Sequence, residues 1–175
     1  SYMPLMLKNI SYDTICHEHL EYYSLKTIKY ILDQVGFKII DLEFNDINGG
    51  SFALTVSKKK SKYLEYSKIV NWLLLKEEKY KYNSSITHLK FFESVKQHKK
   101  LLQDLLLNLA DMKKKVIGYG ASTKGNVILQ YCNLNSKNIR FIVDVNKDKN
   151  NKYTPGSLIK IVNENEIKKY KPDYM

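Results

Sequence analysis

Apolar residues recur along this chain with two different periods, and each change of period marks an element. Leu25, Ile28, Ile31, Leu32 and Val35 follow the 3.6-residue spacing of a helix. Ser24 stands where an N-cap belongs and Gly36 where a C-terminal glycine belongs, so the pattern predicts a helix over 25–35. Residues 37–44 then have the composition of a strand, 45–50 are rich in turn formers, and 51–56 alternate like a partner strand. The implied unit is a helix followed by an antiparallel hairpin. Three such elements bury too little surface for a core of their own and suit the edge of a larger sheet.

Two helical stretches are expected over 61–79 and 86–112, parted by the polar break Tyr82-Asn83-Ser84-Ser85. Leu101, Leu102, Leu105, Leu106 and Leu109 form an apolar stripe that marks a packing face on the second. Residues 115–117 lead into a glycine-rich loop, 127–132 are helical, and 139–143 form a short apolar strand ending at Asp144. Strand, glycine loop, helix, strand is the opening of a doubly wound parallel sheet. Thr154-Pro155-Gly156 is a turn, 164–170 a short helix, and Pro172-Asp173-Tyr174 resembles the start of a further strand. The fold class is therefore α/β, with a Rossmann-like parallel sheet in the C-terminal part, preceded by a helical segment and by the helix plus antiparallel hairpin.

Composition narrows the classes of function. The 175 residues are 43% hydrophobic and 12% aromatic, which is globular rather than disordered. No apolar run approaches the ~20 residues that span a bilayer, and the start lacks a basic region and cleavage site, so no membrane partner and a cytoplasmic location are expected. Cys16 and Cys132 are far apart and outside any zinc spacing, which reads as two reduced thiols. The net charge of +11 would suit a nucleic-acid partner, yet Arg140 is the sole arginine among 29 basic residues. Base readout and phosphate forks favour arginine, and the lysines are spread along the chain, so a solvated surface is expected instead. His88 and His98 lie ten apart on helical stretches with no supporting carboxylate or cysteine spacing, so no metal site is expected.

Two segments carry chemistry. Tyr12-Asp13-Thr14-Ile15-Cys16-His17-Glu18-His19-Leu20-Glu21-Tyr22-Tyr23-Ser24 sets imidazoles beside a carboxylate, which suits general acid/base catalysis. Were 16–19 extended, His17 and His19 would share one side and Glu18 the other; only a turn brings them together. By residue type alone, a catalytic loop and a hydrogen-bonded structural loop are equally compatible with this segment. Gly118-Tyr119-Gly120-Ala121-Ser122-Thr123-Lys124-Gly125-Asn126 spaces its glycines as Gly-x-Gly-x4-Gly. That allows a tight strand-to-helix turn and close backbone approach of an anion to the helix N-terminus. Ser122, Lys124 and Asn126 add polar groups there, and Asp144 at the tip of the next strand suits a sugar hydroxyl. A tight turn without a ligand is the competing reading.

Together these segments resemble sugar-nucleotide C-methyltransferases, S-adenosylmethionine-dependent enzymes of deoxysugar biosynthesis. Residues 12–24 resemble that family's signature, 118–126 the start of its C-terminal domain, and Asn48-Gly49-Gly50-Ser51 its hairpin. The resemblance implies three parts: an N-terminal zinc domain, a Rossmann-like methyl-donor domain and a C-terminal α/β domain that helps bind the nucleotide sugar. It assigns 1–57 to the tail of the methyl-donor domain, 58–115 to a helical connector, and 116–175 to the opening of the C-terminal domain. The chain would then be a fragment, inactive alone. Zinc would lie only in the absent N-terminal part, and S-adenosylmethionine would be bound mainly by absent residues. By resemblance His19 is the base that takes a proton beside a keto group, with Glu18 its proton-handling or sugar-orienting partner. Tyr119, Ser122, Lys124 and Asn126 are the implied sugar or phosphate contacts. Cys16 stands where relatives carry tyrosine, so this chain lacks a phenol there. The alternatives are a non-catalytic nucleotide or dinucleotide (NAD) binding module and a basic nucleic-acid-associated protein.

Overall fold

Pro4 sits in the first turn of α1 (Met3–Asn9), where its missing N–H costs no helical hydrogen bond. The computed structural model describes residues 1–175, the side chain of residue 48 excepted; the Asn48 side chain of the hairpin motif lies outside the described residues. Seven residues are too few to show a helical period, and α1 has no counterpart among the elements expected from sequence. A 3-10 turn over Tyr12–Thr14 follows, then α2 (Leu25–Gln34), begun by Ser24, whose hydroxyl accepts from the Thr27 N–H. β1 (Phe37–Asn45) and β2 (Ser51–Lys58) form the antiparallel hairpin, its register shifting between Ile39 and Asp41.

α3 (Ser67–Lys79) starts six residues later than the pattern suggested. Tertiary bonds hold the intervening stretch: the Tyr66 N–H donates to the Ile39 carbonyl, and Lys38 Nζ donates to the Ser61 carbonyl. α4 (Ser85–Asp111) follows the expected polar break. The chain divides into two compact units, 1–94 and 95–175.

In the first unit Leu25, Ile39, Leu42, Val70 and Leu73 are buried around Tyr2. Fully burying each aliphatic side chain is worth roughly 1.5–3 kcal/mol. The chain start is stitched in by backbone bonds, Tyr2 N–H to the Gly50 carbonyl and Met3 N–H to the Tyr23 carbonyl. Gly50 is required there, because φ is +121° and a Cβ would lie 2.6 Å from Leu5 Cδ1.

Glu77 occupies a position that the apolar pattern of α3 reserves for the core, one turn beyond Leu73. It is 1% exposed. Its Oε1 accepts from the Tyr2 hydroxyl at 2.6 Å and from the Leu25 N–H at 2.7 Å, and its Oε2 accepts from the Lys26 N–H at 3.0 Å. A carboxylate from α3 thus caps the N-terminus of α2, where the helix dipole favours negative charge. Ser24 completes the cap by donating to Asn83 Oδ1 at 2.8 Å.

The second unit holds the end of α4, β3 (Gly118–Tyr119), α5 (Thr123–Tyr131), β4 (Ile142–Val143), β5 (Ile161–Val162) and α6 (Asn165–Tyr170). The three strands are parallel in the order β3-β4-β5, and Tyr174 bridges Val116 on the other side of β3. Two strands thus step one way from β3 and the chain then returns to its opposite side, the reversal that makes a switch point in a doubly wound sheet. Ile142, Ile159, Ile161, Leu129 and Cys132 fill the core beneath Leu106 of α4. Among the described residues no helix is long and apolar enough to cross a membrane.

Glu77→Ala is expected to destabilise the first unit by about 3 kcal/mol, since it leaves two buried donors and one part-buried donor unpaired; denaturant unfolding measures this. Burial, and then the Glu77 carboxylate, push the Tyr2 phenol far up. The stability tied to that raised phenol is present below the ordinary tyrosine value of about 10 and is lost as pH rises beyond it. Tyr2→Phe is therefore expected to be less stable than wild type near neutrality, and the gap should close in unfolding curves taken above pH ~10.

Candidate functional site

In the first unit, 12–24 is anchored at both ends and folds back in the middle. Tyr12 and Thr14 are buried, and Thr14 Oγ1 donates to the Ser11 carbonyl at 2.7 Å. The His19 N–H donates to the Cys16 carbonyl at 3.0 Å, so 16–19 is a turn rather than an extended segment. The Tyr22 hydroxyl lies 3.0 Å from both the Thr14 and the His19 carbonyls and clamps that turn. Burial, reinforced by the nearby Cys16 sulfur, pushes the Tyr22 phenol up, so it remains a protonated donor at neutral pH. Tyr23 donates to the Glu21 carboxylate.

The turn brings His17 Nε2 to 3.9 Å from Glu18 Oε1, with both side chains largely exposed. That separation is too long for a hydrogen bond. His19 is half-buried. Its backbone is held on both sides, while its ring makes no hydrogen bond among the described residues. Among the described residues, no group of three or more His, Cys, Asp or Glu is placed to hold a metal ion.

In the second unit the glycine loop leaves the C-terminal end of β3, where ligands bind in open parallel sheets. Gly118 packs flat on β4, since a Cβ there would lie 2.8 Å from Ile142 Cγ1. Gly120 turns the chain with φ +89° while its N–H donates to the Val143 carbonyl at 2.7 Å. Ser122 caps α5 by accepting from the Gly125 N–H at 3.0 Å. Lys124 and Asn126 are half-buried on the first turn of the helix. Asn126 Oδ1 is buried and accepts no hydrogen bond among the described residues. The Tyr119 hydroxyl donates to Glu164 Oε1 at 2.6 Å, and that bond, together with the carboxylate's charge, holds the phenol above its ordinary value.

Asp144 is turned into the protein. Its Oδ2 accepts from the Ala121 N–H at 2.8 Å and from Lys149 Nζ at 3.0 Å, and its Oδ1 accepts from the Asn146 N–H at 2.8 Å. Lys149 also donates to the Ala121 carbonyl at 2.9 Å. The Asn146 N–H, the Ala121 N–H and Lys149 together hold this carboxyl below the usual range, against the opposing effect of burial. The acid at the strand tip thus ties the glycine loop to β4.

His19 and Glu18 belong to the first unit, whereas Tyr119, Ser122, Lys124, Asn126 and Asp144 belong to the second. Sequence reasoning missed Glu77, Lys149 and Glu164, which orient these groups. Only Glu77 left a signal, a charged residue in register with the apolar face of α3. Lys149 lies in a connection with no period to read, and Glu164 stands at the start of the expected helix 164–170, where nothing in the pattern marks it as the partner of Tyr119.

Residues 46–175 match the C-terminal domain family of the C-methyltransferases. The chain is also similar to the C-methyltransferase NovU of Streptomyces niveus, with 30% identity over 173 residues. That alignment covers 99% of this chain and 41% of the relative, so the chain spans about two fifths of the length of the curated protein it matches.

Asp144→Asn is expected to destabilise the second unit by about 2–3 kcal/mol at neutral pH. A depressed carboxyl stabilises above its unfolded value of ~3.9 and loses that contribution as pH falls through the folded value, so the difference should shrink in acid unfolding curves. Gly120→Ala should cost about 1–2 kcal/mol from its positive φ, since a Cβ meets nothing within 4 Å.

Proposed function

The chain belongs to the C-methyltransferase family, and from that premise we propose that it forms part of an S-adenosylmethionine-dependent enzyme that C-methylates a nucleotide-linked keto sugar. The observation that carries this reading is the glycine loop, where a capped helix N-terminus, Lys124 and the unpartnered acceptor Asn126 Oδ1 stand at the C-terminal edge of a parallel sheet. Such a set suits a ligand with both phosphate and hydroxyl groups. The helix N-terminus and Lys124 take the negative charge, and Asn126 accepts from a hydroxyl that relieves its buried oxygen. Tyr119, oriented by Glu164, offers a ring to the same ligand.

His19 is the base in this reading. Its neutral imidazole removes the proton from the carbon beside the sugar carbonyl, and the electron pair of that bond moves toward the carbonyl oxygen. Tyr22 fixes the backbone that carries the ring, and Glu18, its neighbour in the turn, is assigned to proton handling or to orienting the sugar. The methyl donor, when bound, supplies an electrophilic methyl group on a positive sulfonium. Asp144, engaged with Ala121, Asn146 and Lys149, does not fit a ribose diol, and no residue of this chain is assigned to that donor. The same engagement argues against a dinucleotide module, whose acid must face the ribose.

In the full-length protein, His19→Ala is expected to lower the turnover of methyl transfer to a nucleotide-linked keto sugar by about 10²–10⁴-fold with substrate binding retained. Lys124→Ala should mainly raise KM. Turnover of His19→Ala close to wild type would remove this residue from the reaction.

A further inference from the structure

The first unit holds an open cavity of about 710 Å³ between α1, the end of β1 and α3. It shares no residue with 12–24 or 118–126. Its size falls within the ~300–1,000 Å³ of small-molecule sites.

One wall is a single stripe of α3, with Trp72, Lys76 and the C-cap residue Tyr80 at intervals of four. Trp72 is 52% exposed, an unusual state for a large aromatic residue, and Lys76 Nζ lies 4.3 Å from its ring centroid. Tyr2 and Phe44 meet edge to face at 5.3 Å and add a second aromatic surface. Lys8 of α1 also lines the cavity and makes no ion pair among the described residues. Glu77 reaches the wall with its oxygens already taken by Tyr2, Leu25 and Lys26, which leaves two ammonium groups facing the single carboxylate of Asp46.

Aromatic faces offer stacking to a planar ring, and two lysines offer point charges to an anion attached to it. We infer that this cavity is a binding site for a nucleotide, its base held against the Trp72 and Tyr80 rings and its phosphate by Lys8 and Lys76. The proposal stands apart from the nucleotide-sugar reading of the glycine loop, because the two rest on different units and different residues.

Trp72 is the sole tryptophan among these 175 residues, so tryptophan emission measured on this chain reports the cavity wall. Three titrations separate the parts of the ligand: uridine diphosphate, uridine, and inorganic pyrophosphate. Uridine diphosphate is expected to change the emission saturably, with each half at least about tenfold weaker, and its affinity should fall with added salt. Lys8→Ala should weaken it by about tenfold, as should Tyr80→Ala, and both residues are exposed enough that unfolding curves should match wild type. Lys124→Ala should leave the titration unchanged. An emission that does not saturate, a response equal with pyrophosphate alone, or an affinity indifferent to Lys8→Ala would overturn the site. If Lys124→Ala abolished the response, the cavity assignment would fall while the glycine-loop reading gained support.

Discussion

The first unit depends on one buried carboxylate. Glu77 is taken out of water on α3, and three donors that would otherwise be orphaned converge on it. An unpaired buried charge is among the costliest features a fold can carry, so these donors and their acceptor hold one another in place. Two of the donors begin α2 and the third is the hydroxyl of Tyr2. The segment between Tyr2 and Leu25 contains the whole of 12–24, so one acid fixes where the histidine-bearing turn starts and where it ends. Tyr22 then fixes the middle from within.

The second unit solves the same problem in the same way. Asp144 accepts the Ala121 N–H, and Lys149 joins that carboxylate to the Ala121 carbonyl, so both polar groups of one loop residue are held from the segment that follows β4. In each unit, then, an acid accepts from backbone N–H groups and ties two segments together. A glycine loop needs such a tie, since residues chosen for freedom in φ carry no side chains to hold the loop still. A loop tied in this way presents Ser122, Lys124 and Asn126 in one arrangement, which would lower the entropy lost on binding a ligand.

Much of the fold was legible because it rests on periods. The helix after Ser24, the hairpin and the strand–loop–helix–strand order each repeat an apolar pattern, and the structure has them. The parallel sheet appeared although its strands are very short, because the glycine spacing and the apolar 139–143 stretch speak for it independently. What stayed hidden was α1, too short to show a period, and the stretch before α3, where tertiary bonds to β1 override helical propensity. At the site, residue types suggested that Asp144 faces a sugar. Its hydrogen bonds within the fold, to Ala121, Asn146 and Lys149, are set by the path of a loop that no local pattern encodes.

The polar groups that remain after this internal accounting are the informative ones. Glu77 and Asp144 already accept from partners within the fold. Asn126 Oδ1 is the reverse, a buried acceptor that folding leaves without a donor. Burying a polar atom unpaired costs about 1–3 kcal/mol, and such a cost persists in a fold where something else repays it. A hydroxyl donor arriving beside the capped N-terminus of α5 would do so at the position where Lys124 and the helix dipole accept negative charge. A sugar carrying phosphate meets both demands with one molecule, whereas a free anion meets only the second.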